Sequence, residues 1–140
     1  MTENFKIISS FIKDMSSETP DAQTFIFVKD KITKYRLNID INSKAVKKNI
    51  VEVDIIIKFV DQPEILKKSH FEITYASIVK IDEKVSDKKE MEKIILCDVP
   101  NKIYPDLERI FLNLLTDSGY PGIKFEKKID FIELFKQRSN

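Results

Sequence analysis

Glycine and the side chains that carry metal or nucleophile chemistry are scarce in this 140-residue chain, which has two glycines, one cysteine and one histidine. With only Gly119 and Gly122, no glycine-rich loop can cradle a phosphate. Cys97 has no second cysteine for an internal disulfide, and with His70 it cannot complete a His/Cys metal site. A Ser-His-Asp arrangement would have to use His70, which sits beside Lys67, Lys68 and Ser69 at a strand start and reads as a surface histidine. No apolar run approaches the roughly 18 residues of a membrane span. The opening MTENFKIISS lacks the basic-then-apolar order of a signal peptide. The lack of a signal and the lack of an internal disulfide both fit a reducing, cytoplasmic setting. Excess charge is missing too: 24 Lys and Arg against 23 Asp and Glu leave +1, which exerts no global pull on nucleic acid or membrane. No acid–base or nucleophile constellation is readable, so neither enzymatic activity nor a cofactor or metal is expected.

What remains is the material of a small folded domain. Hydrophobic residues make up 42% of the chain and charged residues 34%, enough for one core and a solvated surface. The length suggests a single domain over residues 1–140. The clearest element lies within Val99–Ile123. Pro105 suits a first helical position, and Asp106 and Glu108 place negative charge in the first turn. Leu107, Ile110, Phe111, Leu114 and Leu115 then form one apolar helical face. Gly119 supplies a left-handed stop, with a Tyr-Pro-Gly turn behind it. A helix is therefore expected over 105–118, and its apolar face needs a platform.

The platform is legible as four strands. Residues 5–14 carry apolar side chains on both parities: Phe5, Ile7 and Phe11 on one, Ile8 and Ile12 on the other. Residues 35–42, 50–60 and 70–81 alternate with the period of half-buried strands. Between them lie a polar loop at 16–24, the turn SKAVKKN, and a break at Asp61-Gln62-Pro63. Phe25, Ile26, Phe27 and Val28 form an apolar island that is either a short buried strand or the lining of an apolar groove. A shorter helix is expected over 87–97, with Met91, Ile94 and Ile95 on one side. A last one is expected over 130–137, capped by Asp130. Strands first and helices after mean α+β: a four-stranded antiparallel sheet with helices packed on one face. Ile8, Ile12, Ile56 and Ile78 are left on surface that one helical layer does not cover, which points to oligomerisation or client binding.

Several fragments together resemble SecB, the bacterial protein-export chaperone. They are Ile12-Lys13-Asp14-Met15-Ser16 with Glu18 and Pro20; the alternating Val53–Phe59; Val99-Pro100-Asn101-Lys102-Ile103-Tyr104-Pro105 followed by Arg109; Gly119-Tyr120-Pro121; and Asp130-Phe131 with Leu134-Phe135. Their order and spacing hold from about residue 5 to 137. The resemblance implies a chaperone without ATPase activity, assembled as a dimer of dimers. It would hold unfolded preproteins in the cytosol and deliver them to the SecA motor, without nucleic acid and without inserting into the membrane.

The same resemblance implies site residues. A client groove would use Phe25, Ile26, Phe27 and Val28, with Tyr104 and Leu107 opposite. An acidic patch for SecA would use Asp14, Glu18 and Glu72. Oligomer contacts would fall on Ile8 and Ile12 of the first strand and on Met91, Ile94 and Ile95. The chain departs from the family pattern in its near-neutral charge, in Val99 where the family has cysteine, in Asp106 where it has a second aromatic, and in having little sequence after Phe135. Two other readings fit the residues: a SecB-like chaperone dedicated to one partner such as an antitoxin, and a small-ligand-binding α+β domain with a closed pocket.

Overall fold

The computed structural model describes residues 4–60, 68–125 and 129–139. Strands β1 (Phe5–Glu18), β2 (Arg36–Lys47), β3 (Ile50–Val60) and β4 (His70–Ile81) form one antiparallel sheet in the order β1-β4-β3-β2. The expected alternation is realised in β3 and β4, where Val53, Ile55, Ile57, Phe59, Phe71, Ile73, Val79 and Ile81 are buried. β2 runs further than expected. The SKAVKKN segment continues the strand to Lys47, and the turn shrinks to Lys48-Asn49, with Asn49 at a φ of 61°. A two-residue hairpin turn needs such a left-handed residue, and asparagine tolerates it. The expected break at Asp61-Gln62-Pro63 lies outside the described residues.

β1 is 14 residues long and bulged twice, between Ile7 and Ser9 and between Ile12 and Asp14. Each extra residue switches the side to which the following side chains point. Ile7 therefore faces the core beside Val79, Phe11 the outer face beside Ala76, and Ile12 the inner face beside Tyr75. The two-parity pattern of apolar residues reflects the bulges as much as burial on two sides.

At the second bulge Lys13 reaches across β4 to β3. Its Nζ lies 2.7 Å from Glu52 Oε2 and 3.0 Å from Asp54 Oδ2. The Lys13 hydrogen bond holds the Glu52 carboxyl below its usual range. Burial, together with the neighbouring Glu52, pushes Asp54 up, and Asp54 Oδ1 is buried without a hydrogen-bond partner.

The helical layer departs from expectation at three places. The loop expected at 16–24 ends in a helix, α1 (Ala22–Lys29), so the 25–28 island is not a strand. Asp21 caps it by accepting the Thr24 N–H at 2.7 Å. Thr24 and Val28, one helical turn apart, are its buried residues. The helices expected at 87–97 and 105–118 are one continuous rod. It consists of α2 (Lys88–Lys93), a π-helical turn (Ile94–Asp98) and α3 (Val99–Asp117). Pro105 thus lies inside α3 rather than at its start. Its missing N–H leaves the Asn101 carbonyl without a helical donor, and both residues are exposed, so solvent can satisfy it. The last helix, α4 (Phe131–Ser139), begins as expected, with Asp130 Oδ1 accepting the Glu133 N–H at 3.1 Å.

α3 seats Val99, Ile103, Leu107, Phe111 and Leu115 in the core over the inner face of the sheet. The rod ends at Gly119, whose φ is 103°. The next residue, Tyr120, is buried, with its ring 5.6 Å from Phe71 and 5.2 Å from Phe25. Its hydroxyl meets Ser69 Oγ at 3.1 Å. Ser69 Oγ also meets Thr19 Oγ1 at 2.7 Å, and Ser69 N–H donates to the Tyr35 hydroxyl at 3.1 Å. This buried polar knot joins the approach to α1, the starts of β2 and β4, and the exit of α3.

Gly119 is required twice. Its φ is left-handed, and a Cβ there would stand 2.5 Å from Phe25 Cε1. Gly119→Ala is expected to destabilise the fold by about 1–3 kcal/mol, read as a lower urea midpoint. For the ionic cluster the two carboxylates oppose each other. Glu52, held low, adds stability above its ordinary value and loses it as pH falls through its folded one; Asp54, held high, loses stability as pH rises through the carboxylate range. Lys13→Met removes the cation between them. Its thermal midpoint should fall below the parent's at neutral pH, and the gap should narrow as pH drops below 4.5, where Glu52 ordinarily takes up its proton.

Candidate functional site

The sheet is wider than the helical rod that covers it, and the uncovered side along β2 forms a cleft of about 780 Å³. Leu37 and Ile39 of β2, with Phe59 of β3, make its floor. Ile32, Thr33 and Tyr35 form one wall; Ile32 and Thr33 belong to a 3-10 turn, Ile32–Lys34, that leads into β2. Gly122, Ile123, Lys124 and Phe125, which follow α3, form the other, and Ile129 and Leu134 close one end. The aromatic side is braced: the Phe125 ring lies 5.7 Å from Phe59 and 6.2 Å from Phe111, and Tyr35 lies 5.3 Å from Phe59.

A second hollow of about 230 Å³ shares Ile39 and Leu134 with the first and continues past Ile41, Leu96 and Phe135. The two make an apolar trough along β2. As the edge strand among the described residues, β2 also carries backbone groups that no other described strand pairs, though Asp40 Oδ1 already takes the Ile41 N–H at 3.0 Å. An open apolar trough beside a free strand edge suits an extended chain: side chains enter the hollows and backbone can meet backbone.

The expected groove residues do not share one surface. Val28, Tyr104 and Leu107 are buried in the core. Phe25 packs on Gly119 and Tyr120. Ile26 and Phe27 line a shallow hollow of their own beside Gln23, Asp30 and Lys31, with Lys31 Nζ 4.4 Å from the Phe27 ring centroid. Tyr104 sits against Phe131 at 5.5 Å, about 20 Å of helix away from Gly119. The trough residues were missed because Leu37 and Ile39 read as ordinary core alternation. Nothing local marks Ile123, Phe125 or Leu134 as neighbours of β2.

The three expected acids do come together. Asp14 and Glu18 flank Ser16 on the outer face of β1, and Ser16 pairs with Glu72 on β4. Glu72 is partly neutralised by Lys58 at 3.4 Å. Of the expected oligomer contacts, Ile8 is 50% and Ile12 44% exposed, Met91 and Ile95 are half-buried, and Ile94 is inside the core. Burial pushes the Cys97 thiol up, and Asp98 adds to the effect, which disfavours a reactive thiolate. Burial likewise raises the Tyr104 hydroxyl. Among the described residues no group of three or more His, Cys, Asp or Glu could hold a metal ion, and no helix is long and apolar enough to cross a membrane.

The family model for preprotein translocase subunit SecB matches residues 1–140. The chain belongs to the SecB family. A candidate SecB protein-export protein of Pelagibacter ubique is 84% identical over the whole of both chains. The SecB of Dinoroseobacter shibae is 29% identical over 136 residues, covering 94% of this chain and 76% of that protein. That of Parvibaculum lavamentivorans is 22% identical over 135 residues, covering 95% and 77%. Among solved structures, a SecB-like chaperone of Mycobacterium tuberculosis, in complex with a peptide from an antitoxin, superposes with a TM-score of 0.65 at 11% identity, over 90% of this chain and 91% of that one. The protein is accordingly a protein-export chaperone of the SecB family, a family described by its part in preprotein translocation rather than by a catalysed reaction.

Leu134 stands at the lip of the trough and is 38% exposed. Leu134→Gln should weaken binding of an apolar fluorescent probe such as anilinonaphthalene sulfonate severalfold, since partial loss of a leucine's burial is worth about 1 kcal/mol. The thermal midpoint should stay close to the parent's.

Proposed function

We propose that this SecB-family chaperone holds unfolded precursor proteins in the cytosol, keeps them competent for translocation and passes them to the SecA motor. The observation that carries the reading is the apolar trough along the free edge of β2, in a chain matched throughout by the SecB family. Several shallow apolar contacts, each worth roughly 1.5–3 kcal/mol when a large side chain is fully buried, add up along a trough while each can still exchange. Such binding needs no particular sequence in the client, only exposed apolar residues in an extended chain. The groove assignment moves accordingly from Tyr104 and Leu107 to Leu37, Ile39, Phe125 and Leu134.

The working form is a dimer of dimers. β1 offers the other free edge of the sheet, with Ile8, Phe11, Ile12 and Met15 all more than 40% exposed. Met91 and Ile95, half-buried on the rod, suit a second contact. The Asp14, Glu18 and Glu72 cluster is the proposed contact for SecA. A second reading, a chaperone dedicated to one antitoxin-like partner, is favoured by the fold shared with the Mycobacterium tuberculosis chaperone solved with an antitoxin peptide. The trough is open on one side, which speaks against a closed small-ligand pocket.

Solution mass measured with and without an unfolded precursor tests the reading. The expected result is an assembly of four 16.4 kDa chains that captures the unfolded precursor and ignores its native form; a monomer indifferent to both would sink it. Glu72→Lys places a second cation beside Lys58 and should weaken SecA binding up to about tenfold, the scale of an exposed ion pair and its reversal, leaving precursor capture unchanged. Unaltered SecA affinity would remove the acidic cluster from the proposal.

A further inference from the structure

The outer face of the sheet is electrically divided in a way that the net charge of +1 conceals. Asp14, Glu18, Glu72 and Asp40 lie toward one end, and Glu52 and Asp54, both held by Lys13, lie between them and the other end. At the other end, Lys6 pairs directly with Lys80, Lys80 with Ile50, and Ile50 with Lys47. These residues form one row across all four strands, so Lys6 and Lys80 lie side by side and Lys47 shares their face beyond Ile50. Lys44 stands in the adjoining row and Lys48 in the hairpin turn beside them. All five lysines are exposed. Lys44 approaches Glu52 at 3.8 Å, a carboxylate that Lys13 already holds. Lys6, Lys47, Lys48 and Lys80 make no ion pair with any described residue, and Asp82 and Glu83 lie beyond the row, just after β4. Like charges directly opposite in a sheet are destabilising, so the fold gains nothing from the Lys6–Lys80 pairing.

One apolar residue at this end is equally out of place as core. Val46 occupies the irregularity between Ala45 and Lys47 and is 52% exposed, with lysines on both sides of it. A basic row beside an exposed apolar tip fits a surface that is anionic at its face and apolar just beneath.

We propose that this end of the sheet docks reversibly on an anionic phospholipid bilayer, with Val46 at headgroup depth and Lys6, Lys44, Lys47, Lys48 and Lys80 among the phosphates. A bilayer fits better than nucleic acid. The row has no arginine fork to clasp a phosphate in two places and no aromatic ring on which a base could stack. Val46 gains from apolar contact but nothing from a phosphodiester chain. The contact is peripheral and crosses nothing. It also orients the molecule, because the acidic end of the same face begins about 27 Å away, the eight residues of β4 from Lys80 to Glu72, and stays in solution. The proposal does not depend on the client trough, since it is measured on the folded protein alone.

The test is cosedimentation with vesicles of phosphatidylcholine alone and of phosphatidylcholine mixed with phosphatidylglycerol, at low and high salt. Binding is expected only to the mixed vesicles and should fade at high salt. Each lysine near the surface is worth about a fivefold change in affinity. Lys47→Gln with Lys48→Gln should therefore cost about 25-fold, and Lys6→Gln with Lys80→Gln, on other strands, a similar amount. Val46→Asp with the lysines intact should also weaken binding, while Lys58→Gln at the acidic end should not. Unchanged thermal midpoints exclude misfolding in each variant. Equal binding to neutral vesicles, no binding to anionic ones, or equal sensitivity at Lys58 would overturn the proposal. So would full binding by Val46→Asp together with competition by RNA of matched charge, which would make the row a general polyanion surface.

Discussion

The structure depends on one contact, the apolar seam of α3 against the inner face of the sheet. Val99, Ile103, Leu107, Phe111 and Leu115 recur every four residues and are all buried. Each step of four overshoots a helical turn by about 40°, so the buried stripe winds slowly round the rod as it crosses the sheet. One helix is about 10 Å across, whereas four strands at about 4.8 Å spacing span nearly twice that. A single rod therefore cannot cover the sheet. It leaves Leu37 and Ile39 of β2 half-buried on one flank and Ile12 and Met15 of β1 exposed on the other. The trough and the exposed edge thus share one cause, the narrowness of the helical layer.

The polar knot at Ser69 fixes what the seam leaves free. Tyr35 belongs to one wall of the trough, while Tyr120 sits at the base of the other, just before Gly122 and Ile123. Both hydroxyls reach the same serine, which is itself 1% exposed. Buried hydroxyls are costly unless paired, so the knot favours one spacing between the two walls. The aromatic stack of Tyr35, Phe59, Phe111 and Phe125 packs alongside it. A cleft framed this way is preorganised rather than shaped by its occupant.

Much of the fold could be read from local pattern. β3 and β4 alternate because one face is core, and Asp130 and Gly119 stand at helix ends where their chemistry belongs. The misreadings have specific physical sources. Phe25–Val28 is rich in residues that favour strands, yet Asp21 caps a helix there and Tyr120 and Gly119 receive Phe25. Pro105 resembles a helix start, but the helix runs through it because its side of the rod faces water, where the lost hydrogen bond is met. Leu37, Phe125 and Leu134 meet only in three dimensions, so no single stretch announces the trough. The acids at Asp14, Glu18 and Glu72 followed from resemblance, whereas the lysine row emerges only from strand register, since its members lie far apart in sequence.

The bulges of β1 bear on a hazard specific to a protein that keeps company with unfolded chains. A long, regular, apolar edge invites any extended segment to zip onto it and nucleate a growing β-stack. β1 has the length and the greasy side chains for this, but its pleat is broken after Ile7 and again after Ile12. A regular foreign strand that pairs at one end is a residue out of step past the first bulge, with its side chains turned to the wrong face over Ser9–Ile12, and two residues out of register past the second. The edge is thus available for a short contact and unfit as a template, so the protein can handle aggregation-prone chains without seeding their aggregation.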